Sequence, residues 1–75
     1  MMDYKSFFLE RLEKVDAYLN STSVANRSYA LGRVLEVEAI AFSLRNSAVI
    51  TTFEFDAVDS FAEVIRKRHK LAVGR

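Results

Sequence analysis

Ala48-Val49-Ile50-Thr51-Thr52-Phe53-Glu54-Phe55 is the stretch whose reading decides the fold. By composition it is a strand, because β-branched and aromatic side chains fill most of it. By spacing it is a helix start. Thr51 and Glu54 stand at the separation of a capping box, and Ile50 and Phe55 flank the same cap at the separation of a hydrophobic staple. A strand here has no partner elsewhere in the chain and would have to pair with a second copy. Two independent start signals agree on Thr51, so a helix beginning there is the expectation. An intermolecular strand over Ala48–Phe55 is the alternative.

Downstream, that helix is expected to run to about Ala72, with Gly74 just past its end. Glu54, Asp56, Asp59 and Glu63 come first and Arg66, Lys67, Arg68 and Lys70 come last, which complements the helix dipole at both ends. Its apolar residues, Phe53, Phe55, Phe61, Val64 and Ile65 among them, span an arc of roughly 200°, against the ~100° that a single packed face needs.

Upstream, Asn46-Ser47 reads as the stop for the helix before it, since Asn tolerates the left-handed conformation that ends helices. The second helix is expected over Val24 to Arg45, capped by Ser23, with Ser21 the other choice. Val24, Leu31, Leu35 and Phe42 fall together on its wheel. Ala30, Val34, Val37, Ala41 and Leu44 form a neighbouring face. A helix apolar over this much of its circumference must be covered from several directions. Gly32 falls on its polar strip, where it is tolerated at a cost of about 1 kcal/mol against Ala.

Glu38 lies inside that apolar arc. A buried carboxylate must be paired, hydrogen-bonded or protonated, so a cation from another helix is expected to meet it. The other reading makes it a polar specificity device in an oligomer interface, or part of a ligand pocket.

The first helix is expected from Asp3 to about Leu19. Asp3 suits the N-cap, with Met2 and Phe7 at staple spacing around it. Tyr4, Phe8, Leu12, Val15 and Leu19 give one apolar face. The capping and turn residues Asn20 to Ser23 separate the two helices, so they should fold back as an antiparallel hairpin. Asn20-Ser21-Thr22 also matches a glycosylation sequon, read here as chance.

The fold class is therefore all-α. Residues 1–75 make a single three-helix domain, a hairpin plus a third helix, and the wide apolar arcs call for completion as a homodimer or higher oligomer. The 75 residues hold no Cys and one His, which excludes disulfides, thiolate metal sites and metal sites built on several imidazoles. A chain of this size buries only about 60% of its surface, so oligomerisation is the support left to it. Net charge is +1, too small for a field that steers the whole protein to nucleic acid or membrane. No stretch is apolar for long enough to cross a bilayer, and a cytoplasmic location is expected.

No phosphate-binding Gly loop, metal cluster or nucleophile motif occurs, so no enzyme activity and no cofactor are expected. The order of elements also differs from ribbon-helix-helix proteins, in which the strand precedes two helices. What remains is a small interaction module acting by binding a macromolecule, as accessory and inhibitory proteins of bacteria and their phages do. Val37, Glu38, Leu44, Phe53, Phe55 and Phe61 are the candidate interface residues. The partner would be a second copy or another protein. The alternative is a nucleic-acid-binding regulator using the C-terminal basic run. There Arg66, Lys67 and Lys70 fall on the outward polar arc and are the candidate contacts to phosphate or an acidic partner. Arg68 and His69 point toward the apolar side, His69 reads as a surface residue and not a ligand or base, and aromatic interleaving is missing.

Overall fold

A computed structural model describes residues 3–71. Among them the chain forms three helices and no strand: α1 over Tyr4–Ser21, α2 over Arg27–Asn46 and α3 over Thr52–Arg68. Every pair of helices is in contact. The stretch that could have been a strand is a turn leading into α3. Thr51 is the N-cap, and its capping box with Glu54 is complete: the Glu54 amide donates to the Thr51 hydroxyl at 3.0 Å, and the Thr51 amide to the Glu54 carboxylate at 2.8 Å. Ile50, at the staple position, is buried, and Phe55 packs against the core.

Asp3 caps α1 as expected, accepting the Ser6 amide at 3.1 Å; Met2, its supposed staple partner, lies outside the described residues. The start of α2 differs from expectation. Its N-cap is Asn26 rather than Ser23 or Ser21, with Asn26 Oδ1 accepting the Tyr29 amide at 2.9 Å. Asn26 is also fixed from behind, its own amide donating to the Tyr18 hydroxyl at 2.8 Å. That tertiary bond moves the helix start three residues along. Val24, read as the first helical residue, sits exposed in the turn.

The core is one layer from each helix. Phe8, Leu12, Val15 and Leu19 come from α1, Ala30, Val34, Val37 and Ala41 from α2, and Val58, Ala62 and Ile65 from α3. Ala30, Ala41 and Ala62 are fully buried, and their small side chains let the helix backbones approach closely. Ile50 and Leu71 close the two ends.

Both later helices end in the same way. After α2, the Val49 amide donates to the Leu44 carbonyl at 2.8 Å and the Ala48 amide to the Arg45 carbonyl at 3.0 Å. After α3, the Leu71 amide donates to Arg66 at 2.8 Å and the Lys70 amide to Lys67 at 3.3 Å. These are Schellman pairs of bonds, and each requires a left-handed residue. Ala48 at φ 61° and Lys70 at φ 54° supply it without being glycine. This is why α3 stops at Arg68 instead of running towards Ala72, and why Leu71 turns back onto the core. Ala72 and Gly74 lie outside the described residues.

A left-handed Ala costs roughly 1 kcal/mol, and a helical Gly costs about as much. Gly32 is exposed in the middle of α2, and a Cβ there would meet nothing within 4 Å. Ala48→Gly and Gly32→Ala should therefore each stabilise the protein by about 0.5–1 kcal/mol, read from urea unfolding midpoints. A loss of stability in Ala48→Gly would mean that the left-handed turn is not populated.

Candidate interaction surface

The basic run at the end of α3 is drawn inwards. Arg66 donates to the Glu38 carboxylate on α2. Arg68 donates to Asp16 on α1 at 2.8 Å, and His69 Nε2 bonds the other Asp16 oxygen at 2.7 Å. The His69 carbonyl accepts from the Arg27 guanidinium at the start of α2. The C-terminal end of α3 is thus tied to both other helices.

Two expectations are corrected here. Arg66, expected to point outwards, has its side chain 13% exposed, and His69, expected on the side of the apolar arc yet read as a surface residue, is 11% exposed. The physical reason is position on the helix. Arg66 borders the buried strip of Ala62, from which a long side chain reaches α2. His69 follows the last helical turn, where the chain bends back towards the core. Of the three residues named as phosphate contacts, Lys67 and Lys70 remain outside, and Lys67 lies 3.7 Å from Glu63 in an exposed pair, a type of contact worth little.

Glu38 meets a cation from another helix, as its place in the apolar arc required. The Asp59 carboxyl on α3 also lies close enough to act on it. Burial and the Asp59 carboxyl push the Glu38 pKa above the ordinary value of 4.5, and Arg66 only partly opposes them. The sign follows from proton linkage. The folded state binds this proton more tightly than the unfolded chain, so the Glu38 contribution to stability falls as pH rises from about 4.5 through the raised value. Arg66 Nε is buried and has no acceptor among the described residues, a further sign that this ion group is imperfectly satisfied.

Glu38→Gln keeps a hydrogen-bonding oxygen for Arg66 and removes the repulsion from Asp59. Its stability should stay within about 1 kcal/mol of the parent and compare more favourably with it at pH 7 than at pH 4, in paired urea titrations. The opposite order would mean that Arg66 dominates and holds the carboxylate low.

The six interface candidates separate in the structure. Val37 belongs to the core, leaving it no surface to offer. Glu38 is engaged within the chain. Leu44 and Phe61 are half-buried against the core. Phe55 is half-buried and meets Phe42 edge-on, with ring centroids 6.0 Å apart. Phe53 is 77% exposed.

The structure adds residues that the wheel did not distinguish. Leu35 and Phe42, two turns apart on one side of α2, are exposed, and the Arg45 guanidinium lies over both the Phe42 and Phe55 rings at 4.7 and 4.8 Å. On α3, Phe53 and Val64 are exposed on the same side, with Ala57 between them half-buried. These two apolar stripes are what the wide arcs of α2 and α3 leave over once three helices have packed.

No group of three or more His, Asp or Glu side chains among the described residues could hold a metal ion. No described helix is long and apolar enough to cross a membrane. Comparison with protein families, curated proteins and solved structures finds no match.

Proposed function

We propose that this protein is a non-enzymatic interaction module that associates with itself and binds a protein partner through its exposed apolar stripes. One observation carries the reading: large side chains, above all Phe42 and Phe53, stay exposed although the core of the three-helix unit is already filled. Burying apolar surface is the main drive to association, and aromatic residues are enriched where proteins meet. The reading takes a cytoplasmic accessory protein as its setting, in keeping with a cysteine-free chain.

A nucleic-acid regulator is the less favoured reading, because Arg66, Arg68 and His69 are held by carboxylates. Lys67 and Lys70 alone would give a salt dependence of roughly two phosphate contacts per protomer. The test is a pull-down with tagged protein, with and without nuclease. A defined protein partner that survives nuclease, and is lost when Phe42 and Phe53 are both changed to Ser, is the expected result. Loss of every partner on nuclease treatment would overturn it in favour of nucleic acid.

A further inference from the structure

The groove between α1 and α2 combines three features that neither the apolar stripes nor the basic run uses. Its floor is apolar: Val15 and Ala30 line it, and both are buried. One end is a fixed aromatic wall. Tyr18 is held by the Asn26 amide on its hydroxyl, and Tyr29 meets it edge-on with centroids 6.0 Å apart and planes at 78°. The rim is cationic, made by Arg11, Lys14 and Arg33.

No carboxylate is among the described residues that line the groove. Glu36 lies 3.5 Å from Arg33, but both are solvated, and such a pair yields easily to a better anion. Arg11 sits over the Phe7 ring at 5.3 Å, which directs its guanidinium without neutralising it. The cavity holds about 320 Å³, at the small end of the range for ligand sites, roughly 300–1,000 Å³.

Two arginines and a lysine favour phosphate over a single carboxylate, since the guanidinium fork matches two phosphate oxygens at once. An apolar floor against tyrosine rings favours a flat, weakly polar body. We propose that this groove binds a small molecule carrying a phosphate on a planar ring system, of the nucleoside monophosphate class, with the ring against Val15, Ala30 and Tyr29 and the phosphate between Arg11, Lys14 and Arg33. The site lies apart from the stripes of α2 and α3, so it stands or falls independently of them.

The test is a titration of isotope-labelled protein with adenosine monophosphate, adenosine and inorganic phosphate, followed by backbone amide shifts. Adenosine monophosphate should give saturable shifts concentrated on residues 11–18 and 29–33. Its affinity should exceed that of adenosine and of phosphate by at least tenfold each. The Arg11→Gln, Arg33→Gln double variant should lose at least tenfold in affinity with an unchanged amide spectrum otherwise. Tyr29→Ala, which alters an exposed ring, provides a second variant with the same expected loss. Equal affinity for phosphate alone, shifts centred on Lys67 and Lys70, or no saturable shift would each overturn the proposal.

Discussion

Leu12→Ala should lower the free energy of unfolding by about 3.5 kcal/mol, the middle of the range for truncating a buried leucine. Leu12 is fully buried and among the largest side chains that are. It lies mid-way along α1, where the core residues of α2 and α3 converge on that helix. A domain of this size holds only about 4–11 kcal/mol in total, so the loss would be roughly a third of its stability at the upper end of that range and most of it at the lower. Truncating Phe53, a larger side chain, should cost well under about 1 kcal/mol at protein concentrations low enough to keep the chain monomeric, because the folded monomer leaves it in water. Urea unfolding of the two variants beside the parent separates them. Similar losses in both would mean that Phe53 is buried within the chain and that the helices pack differently.

Asp16→Ala should cost about 2 kcal/mol, most of it from one partner. His69 is largely covered, and without Asp16 its ring nitrogen has no carboxylate to bond. Arg68 is about half exposed and can turn to water, so Arg68→Gln alone should cost under about 1 kcal/mol. Asp16→Asn keeps an oxygen for one of the two bonds and should fall between. Chemical denaturation of the three variants gives this order. An Asp16→Ala protein as stable as the parent would show that the end of α3 is not anchored to α1, and would return the basic run to the surface.

What could be read beforehand depended on whether the deciding contact was local. Thr51 and its capping box were legible because both bonds close within four residues. The apolar face of α1 was legible because its spacing alone selects it. Glu38 was legible as a residue in need of a partner, since a carboxylate in an apolar arc has few ways to exist. Its partner Arg66 was not, because which of several cations reaches it depends on how α2 and α3 cross.

The same holds for Asn26. Its cap bond to the Tyr29 amide is local and Asn is a favoured cap, but Ser21 and Ser23 are favoured caps too, and the Tyr18 hydroxyl that holds the Asn26 amide lies eight residues away. The end of α3 was missed for a different reason. A left-handed turn is usually announced by Gly, and here Lys70 makes it. The wheel also could not say which flank of α2 is covered. Val37 and Leu35 are equally apolar in sequence, and only the directions from which α1 and α3 approach bury the first and leave the second half in water.

The interaction reading rests on one physical statement: the stripes around Phe42 and Phe53 are surface that association removes from water. The most direct measurement is light scattering after size exclusion at micromolar concentration, on the parent and on the Phe42→Ser, Phe53→Ser double variant, with thermal melting of both. The parent should show at least twice the 8.6 kDa chain mass. The variant should fall to a monomer that still unfolds cooperatively. A parent that stays monomeric at every concentration tested, or a variant that keeps the full assembly mass, would contradict it.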